Sequence, residues 1–187
     1  MKKFYFFIIT ALLAALTCFV PDANAYVVPG TGVVKCYSST QEISCPAYGQ
    51  SFYGQDGNFQ TNQISYMDNG DGTVTDLITG LVWQKSSDSL QRSLSTANQY
   101  CTDLNLGGMT GWRVPSMKEL TTLVDASKNS PALNTSVFEC PSCYTFWSST
   151  VSYVSTTNWV VNFEDGMTTF DYGNADYVRC VHGSQLQ

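Results

Sequence analysis

Six cysteines that follow an N-terminal export signal are the feature that most restricts how this chain can fold. They are Cys36, Cys45, Cys101, Cys140, Cys143 and Cys180. An even number of cysteines in an exported chain predicts a disulfide framework, although the sequence alone leaves many connectivities open. We therefore expect a small domain that is closed by disulfides.

The export signal is predicted to occupy residues 1–25. Lys2 and Lys3 give a positive start, residues 4–20 are almost wholly apolar, and Ala23-Asn24-Ala25 is the small-x-small triplet that signal peptidase cleaves after. Cleavage would make Tyr26 the first residue of the mature chain. The protein is then expected in the periplasm, on the cell surface or in the medium.

Two kinds of membrane attachment are alternatives to cleavage. About 17 apolar residues is the shortest run that spans a bilayer, and no positive cluster follows this one to stop transfer. A lipid anchor on Cys18 fits less well, because Leu16-Thr17 lacks the small residue that lipoprotein processing needs. No later segment is apolar enough to cross a membrane, so we expect no membrane span after cleavage.

Charge restricts the partners of the mature chain. Removing 25 of the 187 residues leaves 162, which suits one domain rather than two. These contain seven basic and fourteen acidic residues, a net charge near −7. Without a Lys/Arg cluster, a chain this acidic is not expected to bind nucleic acid or anionic lipid through a general electrostatic field.

Residues 26–63 are predicted to form an N-terminal arm with one disulfide hairpin. Short strands at residues 33–37 and 42–45 flank a polar turn, and a Cys36–Cys45 bridge would close it. Such a short loop corresponds to about 3 kcal/mol in the chain-entropy model. Residues 50–63 are polar and glycine-rich, which favours a loop laid over the domain.

Residues 64–183 are predicted to form the main domain, followed by a tail at 184–187. Strand-like runs at 64–67, 73–76 and 81–84 are separated by glycine-containing turns, which predicts a meander. Two helices follow. Leu94, Ala97 and Cys101 share a face of the first, and Ser116 with Glu119 caps the second. Strands at 144–147, 158–163, 168–170 and 177–181 complete an α+β layout.

The acidic loop at residues 68–76 could suggest a calcium site. An EF-hand-type loop needs an oxygen ligand at its first position and an acidic residue at its last. If Gly72 is the central glycine, Met67 and Ile78 occupy those positions. A hairpin turn explains the loop better, and we predict neither a metal site nor a cofactor.

Cys140-Pro141-Ser142-Cys143 has the spacing of the redox C-x-x-C motif. In thioredoxin-like enzymes a helix begins at the first cysteine, whereas here a predicted strand follows. As a zinc site the motif supplies half of the four ligands required. A structural disulfide within a loop is favoured, with pairing to other cysteines left open.

The sequence does not predict an enzyme. His182 is the only histidine, and neither a G-x-S-x-G elbow nor an H-E-x-x-H motif occurs. Carboxylate pairs of the glycosidase kind cannot be judged from spacing, because such pairs meet only in the fold. Glu164-Asp165 lies in a predicted turn, where solvation is a sufficient explanation.

Aromatic residues offer the candidate binding anchors. Trp147 and Trp159 fall within predicted strands and are expected to pack in the core. Tyr153 and Tyr172 lie in polar connections rich in Ser, Thr, Asn and Gly. Exposed aromatic rings of this kind can stack on sugars or anchor protein contacts.

Four blocks taken in order resemble one known family. They are residues 72–76 with 79–84 (GTVTD and TGLVWQ), 112–116 with 119–120 (WRVPS and EL), 146–150 (FWSST) and 177–181 (YVRCV). Together they resemble the C-terminal domain of the Legionella collagen-like adhesin. The resemblance implies a C-type-lectin-like fold in which a disulfide joins the first helix to the last strand, here Cys101 to Cys180.

The resemblance also suggests a function. The best-known member of the family is an adhesin that binds sulfated glycans, but this chain has no collagen-like stalk and lacks the E-P-N, Q-P-D and W-N-D motifs of calcium-dependent lectins. We expect a calcium-independent binding module for an extracellular glycan or protein. Residues 125–143 and 151–157 would present its surface, with Tyr153 and Tyr172 as anchors.

Two alternatives belong to other classes of protein. One is a structural subunit of a surface appendage, although the chain lacks the G-F-x-x-x-E start of type IV pilins. The other is an enzyme on the related formylglycine-generating scaffold. That enzyme would need two free thiols together with a metal.

Overall fold

The protein is an α+β domain, as the element pattern predicts. A computed structural model describes residues 27–142, 144–153, 157–171 and 175–186. Within these ranges the regular structure is mainly strand, with two α-helices, α1 (Leu94–Asp103) and α2 (Met117–Thr121). A short 3₁₀ turn, Asp56–Asn58, lies in the N-terminal arm.

The described strands form one hairpin and two antiparallel sheets. The hairpin pairs β1 (Cys36–Tyr37) with β2 (Glu42–Ile43). The four-stranded sheet has the order β3 (Tyr66–Asp68), β4 (Thr73–Asp76), β5 (Val82–Gln84) and β9 (Val181–His182). The three-stranded sheet consists of β6 (Thr145–Val151), β7 (Asn158–Asn162) and β8 (Thr168–Asp171). Because β9 pairs with β5, the end of the domain returns to the meander near its beginning.

Local sequence explains both helices. Ser93 caps α1, its hydroxyl accepting a hydrogen bond from the Thr96 amide. Ser116 and Glu119 form the predicted capping box of α2, in which each side chain satisfies a backbone amide of the other residue. The short α2 is thus fixed at its N-terminus, where the helix would otherwise leave backbone amides unpaired.

Two hydrophobic clusters fill the interior. The larger lies among both sheets and α2, and includes Trp83, Leu120, Phe138, Phe146 and Phe163. The second lies under α1 and contains Ala97, Cys101, Trp112, Trp147 and Cys180. Trp147 therefore packs in the core, as its position in a predicted strand indicates.

Two disulfides are described in full, and they join Cys36 to Cys45 and Cys101 to Cys180. The second connects α1 to the segment that leads into β9. Cys140 is also disulfide-bonded. Its predicted partner, Cys143, lies outside the described residues, as do the export signal and Tyr172.

The N-terminal arm and the predicted C-terminal tail are both hydrogen-bonded to the main domain. In the arm, Gly30 donates to the Asn62 carbonyl, and the Thr31 carbonyl accepts from the Ala126 amide. In the tail, the Leu186 amide donates to Glu119 at 2.9 Å, and its side chain packs against the larger core cluster. Residues 184–186 are thus part of the folded domain, which the polar segment before Leu186 does not reveal.

Two predicted strands have different limits in the structure. β6 continues to Val151, four residues beyond the predicted end. The predicted strand 177–181 is reduced to Val181 at the start of β9, while Tyr177 forms an isolated bridge with Phe146. Before β9 the Cys180 amide donates to the Gln84 side chain instead of to a strand carbonyl, and the adjacent Arg179 is fully buried and donates to the backbone carbonyls of Gln84 and Glu139.

No helix in the described ranges is long and apolar enough to cross a membrane.

Candidate functional site

The three-stranded sheet separates the loops that were expected to form one binding surface. At one end, Val151 pairs with Asn158, and Asn158 with Asp171. At the other end Thr145 pairs with Asn162. Seven residues of β6 at about 3.3 Å each place these ends roughly 20 Å apart.

The two predicted loops leave opposite ends of this sheet. Tyr153 follows the Val151 end, whereas residues 130–132 of the other loop contact the β7–β8 turn at the Thr145 end. The described parts of the two loops expected to present the surface, 125–143 and 151–157, therefore lie at opposite ends of the sheet. The sequence does not reveal this separation, because it does not show that the whole length of β6 lies between the two loops.

Tyr153 is completely exposed at its end of the sheet. The adjacent Ser152 is buried, and its amide donates to the Thr157 carbonyl at 2.8 Å, which closes the connection. Tyr172 directly follows Asp171 in sequence but lies outside the described residues. Tyr153 thus presents its ring to solvent without a surrounding pocket among the described residues.

A concave site lies at the opposite end of the sheet. It encloses about 190 Å³ and is lined by Ser130, Pro131, Pro141, Ser142, Tyr144 and Glu164. Backbone hydrogen bonds fix its walls: Ser130 donates to the Glu164 carbonyl at 2.6 Å, and Phe163 donates to the Tyr144 carbonyl at 2.9 Å. We call this site the Tyr144 pocket.

The side chains of the Tyr144 pocket combine an aromatic ring with polar groups. The Tyr144 side chain is 55% exposed, immediately before β6. Glu164 lies in the β7–β8 turn, where its amide donates to the Asn162 side chain. Within the part of the chain that the structure describes, no residue hydrogen-bonds the Glu164 carboxylate. The pocket can therefore stack a flat or apolar face on Tyr144 and accept hydrogen bonds at Glu164.

Sequence reasoning missed this pocket although it considered most of its residues. The sequence pattern places Tyr144 in a strand and Glu164 in a solvated turn. Each assignment is sound locally, but the two residues meet only because β6 and β7 pair in antiparallel register. The proline and serine residues around Cys140 were the available signal, because they predicted an exposed loop.

The carboxylates of Asp68 and Asp71, in the acidic turn between β3 and β4, are engaged in hydrogen bonds and an ion pair within the protein. Asp71 accepts hydrogen bonds from the amide and hydroxyl of Thr73, at 3.0 and 2.6 Å. Asp68 pairs with Lys85 at 2.8 Å, and the hydrogen bond from that ammonium holds the pKa of Asp68 below its ordinary value. These contacts are those of a hairpin turn. No group of three or more metal-ligating side chains occurs in the described ranges.

His182 lies on β9 with its ring 5.6 Å from that of Trp112. The ring is partly buried against the second core cluster. His182 therefore occupies the end of a short strand.

A pair of carboxyl groups was not foreseen. Asp176 is 5% exposed and its Oδ2 has no hydrogen-bond partner among the described residues, while its side chain also meets that of Asp171. Burial, and then the contact with Asp171, raise the pKa of Asp176 to about 8. At neutral pH the Asp176 carboxyl group is therefore protonated.

Asp176→Asn is expected to stabilise the protein at about pH 7 by roughly 2–4 kcal/mol. The folded-state pKa of Asp176 lies above its unfolded value of 3.8, so the folded chain holds one more proton between about pH 4 and pH 8. Stability consequently falls as pH rises through this window. The substitution removes that loss and should give no gain near pH 3.5. Urea unfolding at both pH values tests this, and an equal effect at both would contradict it.

The family comparison agrees with this geometry. The fold and its disulfides define a small disulfide-bonded α+β domain, a class typical of proteins outside the cytoplasm. The Lcl C-terminal domain model matches residues 72–182. The chain belongs to this family, which is named for a domain of a Legionella collagen-like protein. No curated protein matches the chain.

The family's W-R-V-P-S-x-x-E-L block is structural in this chain. Trp112 is buried in the second core cluster. Arg113 donates to both carboxylate oxygens of Glu119, at 2.8 and 2.7 Å, and Ser116 caps the helix that carries Glu119. The block therefore maintains the fold, whereas the Tyr144 pocket is formed by residues outside it.

Proposed function

We propose that this protein is an exported, C-type-lectin-like domain that binds a neutral extracellular glycan in the Tyr144 pocket without calcium. The observation that carries the proposal is the meeting of an exposed Tyr144 ring with the Glu164 carboxylate and two serine hydroxyls. Sugars present apolar C–H faces and hydroxyl groups, which this combination complements.

Several features support the wider setting of the proposal. The return of β9 to β5 and the disulfide from α1 to the residue just before β9 agree with a C-type-lectin-like arrangement. Family membership is consistent with an adhesin-like role, and the disulfides with an extracellular location. Cleavage after Ala25 remains part of the proposal, and N-terminal sequencing of the exported protein should find Tyr26.

Net charge decides which class of glycan is favoured. A mature chain near −7 repels a sulfated polymer at long range. Among the described residues, Glu164 is the only charged side chain that lines the Tyr144 pocket, and it adds to this repulsion. A neutral glycan can instead donate its hydroxyl hydrogens to the carboxylate.

Tyr144→Ala is expected to weaken glycan binding by about tenfold, corresponding to 1–2 kcal/mol for loss of an aromatic anchor. Tyr144→Phe should retain most of the affinity because it keeps the ring. Tyr153→Ala is the matched control, since it removes a fully exposed tyrosine about 20 Å away. Isothermal titration of each variant with a glycan selected from an array provides the measurement.

Comparing the glycan affinities of the two alanine variants shows which end of the sheet carries the binding site. If Tyr153→Ala abolishes binding and Tyr144→Ala does not, the site is at the other end. If neither substitution matters, the tyrosine anchors are wrong altogether. Melting temperatures should remain close to that of the unsubstituted protein, because both rings are exposed.

A further inference from the structure

A second concavity lies on the other side of the β7–β8 turn. It is a groove of about 390 Å³ between the N-terminal arm and α2, and its lining includes Val28, Pro29, Lys118, Thr121, Val124 and Gly166. Gly166 belongs to the same turn as Glu164, so this turn separates the groove from the Tyr144 pocket. We call this concavity the arm groove.

The arm groove is mainly apolar. Val28 on the arm is 65% exposed, and Pro29, Val124 and Ala126 add further apolar surface to the lining. The hydroxyl of Thr121 donates to the Lys118 carbonyl within α2, and that of Thr122 to the Glu119 carbonyl. These hydroxyls are therefore already committed as donors. The groove offers an apolar surface and one cation.

That cation, Lys118, is unusual for this chain. Five other basic residues form ion pairs: Lys35, Lys85, Arg92, Arg113 and Lys128. Arg179 is buried and donates to backbone carbonyls. Among the lysines and arginines that the structure describes, Lys118 alone has no acidic or carbonyl partner. In a chain with an excess of acidic residues, an unpaired ammonium group beside an apolar groove provides complementarity for an anion.

The size of the groove indicates the kind of occupant. Stable protein–protein interfaces bury about 800 Å² on each partner, which requires a far broader surface. A volume near 390 Å³ instead lies at the lower end of the range for small-molecule pockets, about 300–1,000 Å³. The arm lies outside the family match at residues 72–182, so one wall of the groove is formed by residues that the match does not cover.

We infer that the arm groove binds a small amphiphilic carboxylate. Its apolar body would lie against Val28, Pro29 and Val124, and its carboxylate would pair with the Lys118 ammonium group. This inference is independent of the glycan proposal, because it concerns different side chains on the opposite side of the turn.

The test uses hexanoate as the probe and hexanamide as its neutral counterpart. Titration of the isotopically labelled mature protein should shift the amide NMR signals of Val28, Lys118 and Thr121 in a saturable way, with millimolar affinity. Hexanamide should bind about fivefold more weakly, since it lacks the charge. Added salt should weaken hexanoate binding, because Lys118 is exposed.

Two substitutions make the assignment specific. Lys118→Gln should weaken hexanoate binding about fivefold, whereas Lys128→Gln, which removes a lysine paired with Asp125, should leave it unchanged. Tyr144→Ala should also have no effect on hexanoate, and Lys118→Gln none on the glycan. The inference is overturned if hexanamide binds equally well, if Lys118→Gln has no effect, if the shifted signals lie elsewhere, or if no saturation is reached.

Discussion

Replacing Cys101 and Cys180 together with alanine is expected to lower the free energy of unfolding by about 4–5 kcal/mol. The bridge connects residues 79 positions apart, so its loss releases most of the domain in the unfolded chain. Both residues are also fully buried in the cluster under α1, and removal of their sulfur atoms loses packing. Denaturant unfolding of the oxidised proteins provides the measurement.

The hairpin disulfide is the matched control for this prediction. Cys36 and Cys45 are only nine positions apart, and their replacement should cost about 3 kcal/mol in the same entropy model. An equal or larger loss for the hairpin variant would contradict the account. So would non-reduced peptide mapping that joins Cys101 to a residue other than Cys180.

Glu119→Ala is the second substitution with a large expected effect, about 3–5 kcal/mol of lost stability. Glu119 is completely buried, and its carboxylate accepts hydrogen bonds from Arg113, from the amide and hydroxyl of Ser116 and from the amide of Leu186. The substitution leaves all these donors without their acceptor, and it releases both the helix cap and the C-terminal segment.

The pH dependence of Glu119 provides a further check. Burial alone would raise the pKa of Glu119, but the hydrogen bonds from Arg113, Leu186 and Ser116 outweigh it, so the pKa lies below the ordinary value. The stabilisation is therefore present above about pH 4.5 and is lost as pH falls through the lowered folded-state pKa. Lys118→Gln on the exposed face of α2 is the control and should change stability by less than about 0.5 kcal/mol. A small effect of Glu119→Ala would show that the network is dispensable.

Local sequence patterns predicted which helices and strands form more accurately than the residues at which they begin and end. The capping box at Ser116 and Glu119 and the apolar spacing of Leu94, Ala97 and Cys101 identified both helices, because helix capping and helix periodicity are properties of neighbouring residues. The strand at residues 177–181 was overestimated. Its pattern is typical of a strand, but the Cys180 amide donates to the Gln84 side chain rather than to a strand carbonyl, which the sequence does not show.

The candidate site depended on contacts that no local pattern contains. Tyr144 and Glu164 are twenty positions apart and meet through the register of β6 and β7. The prediction for Glu119 was also incomplete. The sequence indicated a helix cap, but it showed neither the ion pair with Arg113 nor the hydrogen bond from Leu186. The sequence indicates that Tyr153 is exposed, but the length of β6 determines which other loops can lie beside it.

Calcium-independent glycan binding through the Tyr144 pocket is the central claim, and a glycan array tests it most directly. The array should be probed with the mature chain, residues 26–187, and with its Tyr144→Ala variant, each in calcium and in chelator. The account predicts binding to one or more neutral glycans that is unchanged by chelator and strongly reduced in the variant. Binding that disappears with chelator, that is confined to sulfated glycans, or that is equal for the variant would contradict the account, as would the absence of any binding.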